Sequence, residues 1–123
     1  MILDFFGAKH KHLIWTIKLK AYLLDIQDIR IEEAISHKSC LLGQWIYEFG
    51  LEKYKEYPEM LELESVHKEL HFNVQSIIEL KSNGYLEEAV TNFDNLKKIS
   101  DRIITLLDKL EEFIESKNKN NYI

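Results

Sequence analysis

The chain has 123 residues, enough for one domain with a buried core and too few for two. Apolar residues make up 46% and charged residues 30%, with four glycines and one proline, a composition typical of a folded, helix-rich protein. The 16 basic and 21 acidic side chains give a net charge of −5 with no basic stripe, which argues against nucleic acid as a partner. No apolar stretch reaches the roughly 20 residues of a membrane span, and the first residues lack a signal-peptide pattern. We therefore expect a cytoplasmic protein without membrane insertion.

The first predicted helix covers about residues 4 to 24. Its inward-facing residues recur at spacings of three and four, which is the seam of a helix packed in a bundle. They are Phe5, Ala8, His12, Trp15, Leu19 and Tyr22. His12 is therefore predicted to point into the core, whereas His10 lies two positions off the seam and is predicted at the surface.

The second predicted helix covers about residues 32 to 50, EEAISHKSCLLGQWIYEFG, and is rich in large apolar side chains. We expect Gly50 to end it, because glycine is common where helices stop. Cys40 lies in its middle, in the part expected to be deeply buried. His37 lies in a polar run and is predicted at the surface.

The third predicted helix begins near Pro58, a residue that suits a first helical turn, and ends at the Asn83-Gly84 pair. Its seam consists of Leu63, His67, Leu70, Val74 and Ile77. His71 follows His67 by four residues, so the two imidazoles lie on one face, one turn apart.

The last predicted helix, about residues 85 to 117, carries the clearest heptad pattern in the chain. The pattern is Leu86, Ala89, Phe93, Leu96, Ser100, Ile103, Leu107, Leu110 and Ile114, which only Ser100 interrupts. At 1.5 Å per residue this helix is about 48 Å long, so one end is expected to overhang the bundle. Additional apolar residues that widen the stripe suit a second subunit or an adjoining domain; they are Val90, Ile99, Ile104 and Phe113.

These elements predict an all-α protein, an antiparallel four-helix bundle with a long C-terminal helix. Residues 1–117 form the bundle, and the Asn- and Lys-rich residues 118–123 are predicted to be a flexible tail.

Three helices each supply a nitrogen or sulfur donor at a similar height. Counting residues from the predicted turns places His12, Cys40 and His67 within about 5 Å of one level, with His71 one turn further on. A single buried His or Cys is more often a packing residue than a ligand. Three buried imidazoles without partners are costly, however, and a shared cation removes that cost. We therefore predict a tetrahedral Zn²⁺ site formed by His12, Cys40, His67 and His71.

With these residues in place, the chain resembles the chemoreceptor zinc-binding (CZB) domain family over nearly its whole length. The matching motifs are His12 with Trp15 three residues on, CLLGQW at Cys40 to Trp45, and HKELH at His67 to His71. The resemblance implies a zinc site of three His and one Cys in a bacterial domain that is attached to chemoreceptors, diguanylate cyclases or other signalling modules, often as a dimer. It also implies a connection with the detection of hypochlorous acid.

The sequence therefore favours a cytoplasmic zinc-responsive sensory domain that is not an enzyme. Four protein ligands leave no open position for a water nucleophile, and Lys68 stands where the metalloprotease motif H-E-x-x-H has its glutamate. Residues expected around the site are Trp15, Leu42, Gly43 and Trp45. Because a zinc-held thiolate is a nucleophile, oxidation of Cys40 is a second expected signal.

The sequence leaves two alternatives to a zinc-binding sensory domain. The first is a hemerythrin-like iron bundle, which needs carboxylate ligands; Glu64 and Glu69 lie near the histidines, but the first two helices supply no further His and Glu pair. The second is a helical interaction module without metal, in which loss of His71 changes only stability.

Overall fold

The computed structural model describes residues 3–29 and 40–120, with side chains up to residue 117. Its elements are α1 (Phe5–Leu23), α2 (Leu41–Trp45), a π-helical turn (Ile46–Gly50), α3 (Leu51–Lys53), α4 (Pro58–Ser82) and α5 (Leu86–Asn120). No strand occurs within these residues. The predicted all-α class is confirmed.

The ends of the helices follow local chemistry. The Asp4 side chain accepts a hydrogen bond from the Gly7 N–H and caps the start of α1. Pro58 occupies the first turn of α4, where its missing N–H leaves no helical hydrogen bond unmade. After α4, Gly84 has φ +88°, a left-handed conformation that favours glycine and lets the chain turn into α5. The predicted bounds of α4 are therefore confirmed.

The second predicted helix differs from the observed structure at Gly50 and at Cys40. Gly50 does not stop it, because Gly50 has helical dihedral angles (φ −63°, ψ −45°) and the helical path continues to Lys53. An added Cβ at Gly50 would lie 2.8 Å from Cζ3 of Trp45 and 3.0 Å from Cε of Met60. Glycine is thus needed here for close packing and not for termination. Cys40 lies before α2 in extended conformation, not in the middle of a helix; the predicted start at residue 32 and His37 lie outside the described residues.

The helices pack in alternating directions. Near one end of the bundle the ring of Tyr57 stacks on that of Phe113, 4.9 Å between centroids, and Glu62 pairs with Arg102, so α4 and α5 run antiparallel. Lys9, near the start of α1, has its Nζ 2.6 Å from Oδ1 of Asp108 near the end of α5. Tyr22, near the end of α1, contacts Ser82 just before α5 begins, so α1 is antiparallel to α5 as well. The bundle packing supports the predicted architecture.

At the opposite end, α1 meets the end of α4. The Tyr22 hydroxyl lies 3.1 Å from Ser82 Oγ, and Lys81 Nζ lies 2.6 Å from Asp25 Oδ1 and 4.1 Å from the centroid of the Tyr22 ring. These contacts fix the height of α1 against α4, and with it the height of His12 against His67.

The predicted seams face the core. All five seam residues of α4 are buried, and those of α1 are buried or half-buried. On α5 the stripe from Ala89 to Leu110 is buried, together with Leu106, whereas Leu86 is exposed. His10 is exposed, as predicted. Among the described residues, the core is apolar except for three buried polar residues, namely His12, His67 and Ser100.

Helix α5 spans 35 residues and α1 spans 19, so α5 extends well past α1, as expected. Its backbone is helical to Asn120. The flexibility of residues 118–123 and the domain bounds stay predictions. None of the helices in the described part of the chain is both long enough and apolar enough to cross a membrane.

Candidate metal centre

Helix α4 supplies two imidazoles to one point. His67 is fully buried and His71 is half-buried one turn later. Their Nε2 atoms lie 3.2 Å apart, and their rings meet edge to face with centroids 4.6 Å apart. The four-residue spacing read from the sequence therefore brings both nitrogens to the same side of α4.

Cys40 reaches this point from the start of α2. Its extended backbone (φ −71°, ψ 159°) makes it the N-cap residue, and Sγ accepts a hydrogen bond from the Gly43 N–H at 3.3 Å. Sγ also lies 3.3 Å from Nε2 of His67. Burial raises the pKa of the Cys40 thiol, while the N–H groups of Gly43 and Leu42 act in the opposite direction.

The ligand atoms of Cys40, His67 and His71 all lie within 4.8 Å of one another. A tetrahedral zinc ion with nitrogen at about 2.0 Å and sulfur at about 2.3 Å separates neighbouring donor atoms by about 3.3 to 3.6 Å. The two shortest separations here, 3.2 Å and 3.3 Å, are close to that range. Two imidazoles and a thiol are also ligand types that zinc prefers. The three residues therefore fit a zinc ion.

His12, the fourth predicted ligand, lies beside this cluster and not within it. Its ring is buried and meets the His67 ring edge to face, with centroids 5.6 Å apart. Nδ1 lies 2.7 Å from the Ala8 carbonyl oxygen, so Nδ1–H donates to it and Nε2 remains as the donor atom for a metal. Burial lowers the pKa of His12, against the effect of the Ala8 carbonyl, which favours the neutral ring that a metal requires.

A cleft of about 860 Å³ between α1 and α2 opens onto the cluster. His12, Cys40 and His71 all line it, and Lys11 and Lys18 lie at its wall. The half-buried exposure of Cys40 and His71 agrees with this opening. An ion or a small solute therefore has a path to these side chains.

Aromatic residues pack beside the cluster. Trp45 is buried; its ring meets that of Phe5 edge to face at 6.2 Å and stacks on that of Tyr54 at 6.1 Å. Leu42 is also buried, whereas Trp15 is half-buried at the cleft. Trp45 thereby joins α2 to the start of α1 and to the residues that precede α4.

Carboxylates are absent from the cluster of possible metal ligands found among the described residues. Glu69 is exposed, and Glu64 receives a hydrogen bond from Tyr47, whose pKa is raised to about 12 by burial and by that carboxylate. The donor set is therefore nitrogen and sulfur, which does not favour the hemerythrin-like alternative.

Two features of the described structure were not predicted from the sequence. The first is the capping role of Cys40, for which the only signal is that Cys40 precedes an apolar run as an N-cap residue does. The second is the burial of Ser100, because the sequence shows this residue only as an interruption of the heptad pattern in α5.

The fold and this cluster define a helical-bundle protein with a candidate metal centre of imidazole and thiol ligands. Residues 12–78, just over half of the chain, match the sequence profile of the Chemoreceptor zinc-binding domain, CZB. The chain belongs to this family of zinc-binding sensory domains, and the predicted resemblance is confirmed. No curated protein and no solved structure matches the chain.

Proposed function

We propose that the protein binds one Zn²⁺ ion through His12, Cys40, His67 and His71. The observation that carries the proposal is the clustering of the Cys40, His67 and His71 ligand atoms within 4.8 Å. His12 contributes Nε2 from the adjacent buried ring. The bound ion supplies a positive charge that holds the thiolate and orients three neutral imidazoles, and so ties α1, α2 and α4 together.

The ion acts as a signal and not as a catalyst in this proposal. Four protein ligands fill a tetrahedral site, which leaves no position for a water nucleophile. Zinc binding instead stabilises the first turn of α2 against α4, because Cys40 is both a ligand and the cap of α2. Occupancy of the site thereby sets how α2 packs, and the cytoplasmic output, a chemoreceptor or a cyclic-di-GMP enzyme, responds to it.

We further propose that the domain works as a homodimer. Helix α1 exposes Phe6, Leu13 and Ile17 on the face opposite the one that buries His12, and apolar side chains in such a stripe favour association. Light scattering coupled to gel filtration should show a dimer for the native protein. A monomer would contradict the proposal, as would an unchanged mass after Ile17→Lys.

Oxidation of Cys40 is the second signal that we propose. Its thiolate attacks hypochlorous acid to give sulfenic acid and chloride, so that sulfur loses two electrons and chlorine gains them. The site then lacks a thiolate ligand, and zinc is released. Mild oxidant should accelerate zinc release from native protein more than from Cys40→Ser reloaded with metal, each compared with its own rate without oxidant; equal acceleration would contradict the proposal.

The decisive experiment is metal content per chain, by elemental analysis of protein purified without added metal. We expect about one zinc per native chain, and loss of the metal in His12→Ala, Cys40→Ala and His71→Ala, since removal of one of four ligands opens the site. His10→Ala is the matched control, because His10 is exposed on α1 and should retain the metal. If native protein contained no zinc and took up none on titration, the proposal would be wrong and the metal-free helical interaction module would stand instead.

A further inference from the structure

Ser100 is the one polar residue in the buried stripe of α5. It is 3% exposed, and its neighbours in the stripe, Leu96 and Ile103, are 1% and 0% exposed. Burial of a hydroxyl in an apolar layer is unfavourable unless the hydroxyl finds a hydrogen-bond partner. The position of Ser100 therefore needs a physical reason.

The pairing of α4 with α5 places Ser100 within about one helical turn of the height of His67. Tyr57 stacks on Phe113, and counting ten residues along each helix from that pair brings His67 opposite residue 103. Glu62 pairs with Arg102, and counting five residues brings His67 opposite residue 97. Ser100 is midway in this interval, in which the only other buried residue is Ile103. The buried polar residue of α4's seam and that of α5's stripe therefore lie within about one helical turn of the same height, a span that we call one layer.

The hydroxyl of Ser100 is not engaged by its own helix. Thr91 and Thr105 each donate to the carbonyl oxygen four residues before, at 3.1 Å and 3.0 Å, as hydroxyls in helices commonly do. Ser100 Oγ makes no such bond, and within the described part of the chain no partner reaches it. This oxygen is thus available in the layer that contains His67.

We infer that Ser100 positions His67, by accepting a hydrogen bond from its Nδ1–H when Nε2 binds zinc. Nε2 of His67 is the atom that faces Cys40 Sγ and His71 Nε2, so Nδ1 lies on the far side of the ring from the cluster. Metal-bound imidazoles generally donate their second N–H to an oxygen, which fixes the tautomer and the ring orientation. The inference rests on the proposed zinc site and concerns a residue outside it.

The test compares Ser100→Ala with Ser100→Thr and with Ser82→Ala, the matched loss of a hydroxyl at the far end of the bundle. Zinc affinity is measured by competition with a chelator, and the stability of metal-free protein by urea unfolding. Ser100→Ala should bind zinc about tenfold or more weakly, the usual effect of losing such a partner. Its metal-free form should be at least as stable as native, because the substitution removes a buried hydroxyl that has no hydrogen-bond partner among the described residues. Ser100→Thr should recover affinity.

Ser82→Ala should show the reverse pattern, lower stability and native zinc affinity, since it removes the contact with Tyr22 and not one near the metal. A second readout is the Nδ1–H proton of His67 in NMR spectra of zinc-loaded protein, which should be protected from exchange in native protein and exposed to it in Ser100→Ala. If Ser100→Ala kept native zinc affinity and the same exchange protection of the His67 Nδ1–H proton, this inference would be wrong and the proposed zinc site would be unaffected. Failure of native protein to bind zinc would overturn the proposed function instead.

Discussion

The sulfur of Cys40 lies 3.3 Å from Nε2 of His67 while it accepts the Gly43 N–H, also at 3.3 Å. One atom thus caps α2 and faces the buried histidine of α4. Loss of the thiol should therefore affect two properties, helix capping and the proposed metal ligation, and two substitutions separate them.

Cys40→Ser and Cys40→Ala should differ in stability without metal. Serine retains an N-cap acceptor, whereas alanine has none, so the free energy of unfolding of metal-free Cys40→Ala should be lower by about 0.5 to 2 kcal/mol. Both variants lose the thiolate and should bind zinc poorly. Urea unfolding after removal of metal gives the comparison. Equal stability of the two variants would show that the sulfur does not cap α2.

Zinc affinity should increase with pH across the neutral range. Burial raises the pKa of the Cys40 thiol above its ordinary value of 9.0, so the thiol is protonated at neutral pH and must lose its proton to bind the ion. Below that pKa the apparent affinity should rise about tenfold per pH unit. Chelator competition between pH 6.5 and 8 measures it. A flat profile in native protein, or an equal slope in Cys40→Ala, would contradict a protonated Cys40 ligand.

Metal-free protein should lose stability in mild acid because of His12. Burial lowers its pKa in the folded state below the ordinary 6.5, so the unfolded chain binds a proton more readily. Stability from this residue is present above pH 6.5 and falls as the pH drops from there to the folded-state pKa. At pH 5.5, one unit below the ordinary pKa, linkage limits the loss from this one group to at most about 1.4 kcal/mol.

Urea unfolding of metal-free native protein at pH 7.5 and 5.5, beside His12→Gln, tests this effect. The acid-induced loss should be smaller in His12→Gln, which cannot titrate. An identical loss in both proteins would assign the pH dependence to other groups.

Gly50→Ala should destabilise the protein by about 1 to 3 kcal/mol, the usual cost of an overpacked core. Helix propensity alone predicts the opposite, since alanine favours helix more than glycine. The added methyl group would lie 2.8 Å from the Trp45 ring, which has little room to move in the core. Thermal unfolding, with the exposed Glu52→Ala as control, decides between these effects. If Gly50→Ala were as stable as native, the Trp45 side chain would be able to shift at little energetic cost.

Much of the fold follows from periodicity in the sequence. Spacings of three and four mark which face of α1, α4 and α5 is buried, and Pro58 and Gly84 mark helix ends through fixed backbone requirements. The prediction that Gly50 ends a helix was wrong because glycine serves two purposes, ending helices and allowing close contact. Only the position of Trp45 in the structure distinguishes them.

By itself the sequence determined the helical class, the faces that form the core and the donor types at the four proposed ligands, His12, Cys40, His67 and His71. These depend on residue type and on a repeat of 3.6 residues, which are local properties. The tertiary structure decided the heights: Cys40 at the cap of α2 beside His67, His12 next to that cluster, and Ser100 in the layer of His67. Heights along a bundle depend on how whole helices pack against each other, through distant contacts such as Tyr57 with Phe113 and Tyr22 with Ser82, and no local pattern encodes them.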